Sequence, residues 1–247
     1  MSPALIHTLR TYAARYETSA FLKDDPSQFM HQVSGDNNRE TTAFVASCLS
    51  YGSRKQFLPK IQSIIDAADG DVFHWVREGA YRSLFKENDK NSFYRLYNYH
   101  TMAVSFEALQ EILQKQGSLK GFVRAIRSRQ AIDVLEGLSA YFYSHGLTGI
   151  VPRPYTSCCK RPCMLLRWMV RCDSPVDLGL WSDVVDRASL LIPLDTHVVQ
   201  SAVRLGLLDQ VRSSWRTVEI LTKKMREVFP DDPSRGDFAL YGLDINR

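Results

Sequence analysis

Helical periodicity is the feature that most limits the fold of this chain. Apolar residues recur at spacings of three and four through most of its 247 residues, and no extended alternation of period two is present. Spacings of three and four gather apolar side chains on one face of an α-helix, whereas half-buried strands require alternation. Because 45% of the residues are hydrophobic, a chain of this length can bury a large core. The sequence therefore predicts an all-α protein, a single compact unit that can divide into two lobes, one spanning about residues 30–145 and the other 1–29 plus 146–247.

The same spacing predicts where the helices lie. Two helices are expected within residues 40–68, joined by a polar and basic connection at residues 51–56. Further helices are expected at residues 73–85, 92–116, 119–127, 131–143, 163–170, 196–207 and 215–228. Two glycines and three prolines within residues 146–162 predict a loop, since both residue types interrupt regular structure.

The basic residues are unevenly distributed along the chain. The net charge of +4 is too small by itself to require a polyanionic partner. Residues 137–172, however, contain no Asp or Glu and include Arg153, Lys160, Arg161, Arg167 and Arg171. A second basic run precedes them and consists of Lys120, Arg124, Arg127 and Arg129. This segregation fits a surface that faces phosphates, because Lys and Arg supply most of the affinity for nucleic acids. It also fits an ordinary solvated helix face whose acidic partners lie nearby in space.

Composition also bears on the compartment and on metals. Charged residues interrupt the first thirty positions, so we expect neither a signal peptide nor a membrane partner, and we expect a cytoplasmic protein. The five cysteines are odd in number, and four of them, Cys158, Cys159, Cys163 and Cys172, crowd into one segment. That segment has no CxxC spacing and no histidine between the cysteines, which favours reduced thiols over disulfides or a structural zinc site. The sequence predicts no metal and no cofactor.

The most informative segment is Leu-Ile-Pro-Leu-Asp-Thr-His-Val-Val-Gln-Ser-Ala-Val-Arg-Leu-Gly-Leu at residues 191–207. Asp195 has the features of a helix N-cap, because an apolar run with Pro193 precedes it and a helical pattern follows. Gly206 stands where a glycine terminator is expected. His197 can orient the carboxylate, contact phosphate or simply lie at the surface. A purely structural interpretation of this segment is therefore complete.

This segment resembles the aspartate motif of the helix-hairpin-helix DNA glycosylases, the endonuclease III-like superfamily. Residues 41–60 are similar to the early helix and polar connection that approach DNA in that superfamily, and residues 237–243 resemble its late helix beneath the site. Over nearly its whole length the chain also resembles an uncharacterised bacterial conserved-domain family, through Cys-Lys-Arg, Leu-Arg-Trp-Met-Val-Arg and Pro-Leu-Asp-Thr-His. The resemblance implies a two-lobed helical glycosylase-like fold.

The resemblance also implies an activity and a set of residues. The expected function is excision of a flipped, damaged base such as an oxidised purine from double-stranded DNA, by a monomeric glycosylase or glycosylase/AP lyase. Lys160 matches the lysine-bearing helix start of the 8-oxoguanine branches and would attack the sugar C1′ as a neutral amine. Asp195 would stabilise positive charge on the sugar or assist proton transfer. The expected nucleic-acid contacts are Arg54, Lys55, Gln56, Arg161, Arg167 and His197.

The chain departs from the superfamily pattern in several respects. It lacks the Leu-Pro-Gly-Val-Gly hairpin, and Lys160 and Asp195 stand 35 positions apart, farther than in endonuclease III itself. No cysteine quartet follows Asp195, so an iron-sulfur cluster of that kind is not expected. Lys160 can alternatively be a solvated or phosphate-binding lysine, and Trp168 and Phe142 can stack on a flipped base or fill the core.

Three function classes stay open at this point. The first is the glycosylase, the second is a non-catalytic nucleic-acid-binding module with the same fold, and the third is a helical scaffold that binds protein. The sequence contains no Walker loop, Rossmann glycine fingerprint, HExxH or Gly-x-Ser-x-Gly motif. Those absences disfavour the commonest nucleotide-binding, protease and hydrolase alternatives.

Overall fold

The computed structural model describes residues 1–245, with side chains described through Leu243. Within that part of the chain the α-helices are α1 (Pro3–Tyr16), α2 (Gln28–His31), α3 (Asp36–Leu49), α4 (Arg54–Ala67), α5 (Val72–Arg77), α6 (Tyr99–Gln116), α7 (Leu119–Ala125), α8 (Ala131–Ser144), α9 (Lys160–Val170), α10 (Thr196–Arg204), α11 (Trp215–Val228) and α12 (Gly236–Ile245). Two short strands, β1 (Ser92–Tyr94) and β2 (Tyr97–Asn98), pair antiparallel. The predicted all-α class is confirmed. Within the described residues, no helix combines the length and the apolar character that crossing a bilayer requires.

Two of the predicted helices are interrupted for local reasons. The helix expected at residues 73–85 ends after α5, because Gly79 adopts a left-handed conformation with φ of 78° and a 3₁₀ turn, Ala80–Ser83, follows. The helix expected at residues 92–116 begins only at Tyr99. Asn98 is its N-cap and accepts the Thr101 backbone N–H at 2.7 Å, while the residues before it form the hairpin. Capping by asparagine thus sets the start of α6 seven residues later than apolar spacing suggested.

The chain divides into two compact units. Unit one consists of residues 1–23, 128–136 and 152–247, and unit two consists of residues 24–127 and 137–151. These units divide the chain after residues 23 and 151, whereas the sequence placed the lobe boundaries near residues 29 and 145. In addition, the nine residues 128–136, which include the start of α8, belong to unit one.

Unit one is built around helices from both ends of the chain. Helix α1 packs along α12, and α12 packs against α10. The approach of α1 to α12 is close at Gly242, where a β-carbon would lie 2.1 Å from the Tyr16 ring. Apolar residues of α1, α10, α11 and α12 form one buried cluster that also includes Ile192 and Leu194. The apolar run before Asp195 is therefore anchored in this core.

Unit two is organised around α3, which is buried from Glu40 to its last residue, Leu49. The helix packs against α4, α5 and α7. The buried Glu40 carboxylate accepts the backbone N–H groups of Leu119 at 2.7 Å and Lys120 at 3.1 Å, and so satisfies the amino end of α7. A buried acid thus fixes how α7 joins α3.

Candidate functional site

Lys160 and Asp195 form a direct ion pair in unit one. The Lys160 Nζ lies 3.0 Å from the Asp195 Oδ2, and the two side chains are 37% and 28% exposed. This distance permits a hydrogen bond and direct proton transfer between the groups. Because both side chains keep solvent access, a ligand can reach the pair. The structure thus brings together the two residues to which the sequence resemblance assigns catalysis.

Asp195 uses its two carboxylate oxygens for different contacts. Its Oδ1 accepts the backbone N–H of Val198 at 2.9 Å, which confirms the predicted N-cap of α10. Its Oδ2 faces Lys160. The chain before it is held by Ile192 and Leu194, both fully buried, and the Ile192 N–H donates to the Thr222 hydroxyl at 3.1 Å. The carboxylate is therefore held in place before any ligand arrives.

Local charges keep the Asp195 carboxyl ionised. Burial favours the neutral acid, but the Lys160 charge, the Val198 N–H and the His197 charge favour the carboxylate, and the net effect lowers the Asp195 pKa below its usual value of 3.8. At neutral pH the site therefore presents a carboxylate beside the amine. Such a group can accept a proton or stabilise a nearby positive charge.

Lys160 is the first residue of α9, and the loop before it is closely held. Cys159 has a φ of 48°, in the left-handed region that is uncommon for non-glycine residues. Its N–H donates to the Ser157 hydroxyl at 3.1 Å, and its thiol donates to the Pro152 carbonyl at 3.2 Å. From Pro162 to Val170 the helix is buried throughout. Lys160 therefore extends from the partly exposed end of a helix whose remaining turns belong to the core.

Two buried thiols near Lys160, those of Cys159 and Cys163, are poor nucleophiles. All five cysteines are free. Burial raises the pKa of the Cys159 thiol to about 11, and it raises that of Cys163 well above the usual value. The thiolate is the reactive form, so these two groups are largely unreactive at neutral pH. Among the described residues, no three His, Cys, Asp or Glu side chains are grouped so as to hold a metal ion.

Arg167 was predicted to contact phosphate, but its side chain is buried among acids, so that prediction is wrong. Its side chain is 2% exposed. Its Nη1 lies 2.5 Å from the Asp237 carboxylate, and its Nε lies 3.3 Å from that of Asp177. A guanidinium buried between two carboxylates is already neutralised, and exposing it would leave both acids without their partner.

Arg171, another member of the acid-free stretch, is also buried. It contacts Glu17 at 2.5 Å and Asp232 at 2.8 Å, and it pairs with Asp177 as well. Glu17 and Asp232 come from distant parts of the sequence, whereas Asp177 lies six residues after Arg171. The basic character of residues 137–172 is therefore partly cancelled in space, and only part of this stretch forms a cationic surface.

The other predicted nucleic-acid contacts lie at or near the surface. Arg161 is half-buried beside Lys160, and His197 is exposed in the first turn of α10. In unit two, the exposed first turn of α4 carries Arg54, Lys55 and Gln56. Their contact with nucleic acid stays a prediction. Trp168 and Phe142 are fully buried, so they are core residues and cannot stack on a base in this arrangement.

Sequence analysis missed Tyr155, an exposed aromatic residue in the loop before α9. It lies against Trp215, with ring centroids 5.3 Å apart. The available signal was an aromatic residue flanked by prolines and an arginine, because loops of that composition lie at the surface. Trp215 lies beside Tyr155 only in the folded chain, so the sequence around Tyr155 could not predict this contact.

Comparison with known proteins gives a family but no activity. The model of the family described as Protein of unknown function (DUF2400) matches residues 25–246. No curated protein matches the chain. No solved structure matches it either.

Proposed function

Because this chain belongs to the DUF2400 family, whose description assigns no function, we propose one from its site: excision of a damaged base from double-stranded DNA by a glycosylase with AP lyase activity. The proposal includes the two-lobed glycosylase-like fold that the sequence motifs imply. The observation that carries it is the 3.0 Å contact between Lys160 and Asp195. Sequence alone left open whether these two residues meet.

The proposed chemistry uses both members of the pair. As the Asp195 carboxylate accepts a proton from the Lys160 ammonium, the freed amine adds to C1′ of the flipped nucleotide. The bond between C1′ and the base breaks, and the base leaves with the bonding electrons and takes the proton that the new ammonium on C1′ releases. The bond between C1′ and the ring oxygen of the resulting hemiaminal then breaks, the oxygen takes the proton from the Asp195 carboxyl, and a protonated imine joins Lys160 to the sugar. The carboxylate restored in this step stabilises the positive charge of the imine.

The geometry favours this role over a purely structural ion pair. A partly exposed pair of this kind contributes only about 0–1 kcal/mol to stability. The Asp195 carboxylate is also fixed by the Val198 N–H, so its second oxygen points at the amine without a further loss of side-chain freedom. A fixed acceptor beside an accessible amine is the arrangement that amine catalysis requires.

Borohydride trapping tests the proposal directly. Purified protein is incubated with duplexes that carry 8-oxoguanine, uracil or an abasic site, and borohydride then reduces any imine to a stable covalent adduct. We expect an adduct with at least one duplex and none with Lys160→Ala. Lys223→Ala removes an exposed lysine from α11 of the same unit and serves as the matched control. Circular dichroism checks that each variant is folded.

Two results would overturn the proposal. An adduct that persists in folded Lys160→Ala would mean that another residue is the nucleophile. Absence of both adduct and strand cleavage with every duplex would mean that the pair does not perform this chemistry, and salt-dependent duplex binding would then favour a non-catalytic binding module.

A further inference from the structure

A groove on unit one is lined by neither member of the Lys160–Asp195 pair. It encloses about 850 Å³, within the range of sites that hold small organic ligands. Its apolar lining includes Leu207 and Trp215, which are largely buried, and Tyr155, which is 65% exposed. Nothing in the proposed glycosylase chemistry uses this groove.

Tyr155 is held so that much of its ring stays open. The ring meets Trp215 at an interplanar angle of 62°, so that the two rings pack edge to face. Its hydroxyl bonds to the Glu136 carboxylate. The backbone at Tyr155 has a φ of 64°, a conformation that bulky residues rarely adopt. An aromatic ring that is fixed at its edge and hydroxyl, with most of its surface in solvent, is suited to stacking a flat ligand.

The charged residues of the groove limit the chemical classes of ligand that it can bind. Three cations, Arg212, Arg216 and Lys224, line it together with two carboxylates, Asp209 and Glu219. The Trp215 indole N–H donates to Glu219 at 3.0 Å. With Glu136 at the Tyr155 hydroxyl, the carboxylates equal the cations in number, so the groove suits a ligand with a single phosphate better than a polyphosphate, which would also meet the carboxylates. Acceptors beside an aromatic ring suit a base with amino or imide N–H donors.

We propose that this groove binds an unpaired nucleotide of single-stranded DNA, with the base stacked on Tyr155 and the adjoining phosphate at Arg212 and Arg216. Stacking of a base on an aromatic side chain tolerates any sequence and contributes strongly to the affinity of single-stranded nucleic acids. The site does not depend on Lys160, so its occupancy and the proposed base excision are separable. Bound here, the strand would be retained by unit one while any chemistry takes place at Lys160.

Fluorescence anisotropy with a labelled oligothymidylate tests the proposal. Tyr155→Asn removes the ring and keeps a residue that tolerates the left-handed backbone. We expect the affinity to fall at least about fivefold, the lower limit for loss of one stacked base. Tyr155→Phe keeps the ring and should bind nearly as the wild type does. A labelled abasic oligomer has the phosphates without bases, and we expect its affinity to be the same for wild type and Tyr155→Asn.

The phosphate contact is tested by the dependence of affinity on salt. Arg216→Ala should reduce the slope of log affinity against log salt by about 0.7, the value for one phosphate of a single strand. Lys223→Ala removes a charge from the same helix outside the groove. Its affinity should depend on salt more steeply than that of Arg216→Ala.

Further outcomes keep this proposal separate from the glycosylase. Lys160→Ala should bind oligothymidylate as the wild type does, even if no borohydride adduct ever forms. The proposal is overturned if folded Tyr155→Asn binds oligothymidylate with wild-type affinity, or if it weakens the abasic oligomer equally. In a competition experiment, inorganic phosphate and thymidine monophosphate each displace the labelled oligothymidylate. If both do so at the same concentration, the base contributes nothing to binding and the proposal is also overturned.

Discussion

Replacing Asp195 by Asn and by Ala separates the two contacts of its carboxylate. Asparagine is as good an N-cap as aspartate, so Asp195→Asn retains an acceptor for the Val198 N–H and loses only the charge that faces Lys160. Asp195→Ala loses both contacts. If the ion pair serves chemistry, both variants should lose activity, whereas only the alanine variant should lose the cap.

The expected magnitudes follow from those contacts. Loss of the cap costs about 1 kcal/mol, and loss of a partly exposed ion pair costs about 0–1 kcal/mol. Asp195→Ala should therefore unfold with a free energy about 1–2 kcal/mol lower than wild type, and Asp195→Asn with a free energy at most about 1 kcal/mol lower. For a chain of this size, about 1 kcal/mol corresponds to a shift in Tm of roughly 2–4 °C.

Urea unfolding and the rate of adduct formation measure the two effects independently. We expect trapping on the responsive duplex to slow by roughly 100-fold or more in both variants, the range for loss of a positioned proton acceptor. If Asp195→Asn traps DNA at the wild-type rate, the carboxylate is only a helix cap and the assigned role fails. If Asp195→Asn is as unstable as Asp195→Ala, the capping interpretation fails instead.

Three further predictions concern stability, pH and the thiols. Arg171→Leu removes the cation shared by three carboxylates and should lower the free energy of unfolding by roughly 3–5 kcal/mol in urea titrations, whereas a loss below 1 kcal/mol would show that the buried pairs are dispensable. Because the Asp195 pKa is lower in the folded chain, its stabilising contribution is complete above about pH 4 and is lost as the pH falls through the folded pKa, so wild type should lose more stability than Asp195→Asn between pH 4 and 2. A disulfide reagent should modify the exposed Cys172 in the native protein and reach Cys159 and Cys163 only on unfolding; rapid labelling of Cys159 and Cys163 in the native protein would contradict their burial.

The features that sequence analysis predicted correctly depend on residues close together in the chain. Asp195 was recognisable as a cap because capping depends on neighbours within a few residues. The hairpin at residues 92–98 was missed because its strands are only three and two residues long, too short for an alternating pattern to appear. The contact between Lys160 and Asp195 joins positions 35 residues apart, and only the resemblance to a family could suggest it.

Charge was the least predictable property, because pairing in space differs from order along the chain. Arg167 and Arg171 stand in a stretch without acids and were therefore candidates for a phosphate-facing surface. The acids that neutralise them come from the N-terminal segment, the loop after α9 and the residues around α12. Of these partners, only Asp177 is near in sequence, and no local pattern identifies Glu17, Asp232 or Asp237. Absence of acids in a sequence window is therefore weak evidence for a cationic surface.

The same buried charges give Lys160 its fixed position. Lys160 and Arg167 are seven residues apart in α9, which is close to two helical turns, so they lie on nearly the same face and about 10 Å apart along the axis. Buried ion pairs add little net stability, but each requires one geometry, so they restrict how α9 can rotate or slide. Rotation of α9 would move Lys160 away from Asp195 and would separate Arg167 from both of its carboxylates. Buried charges hold α9 in the core, and its accessible end carries the Lys160 amine. The helix therefore positions the amine, and no rigid loop around Lys160 is required.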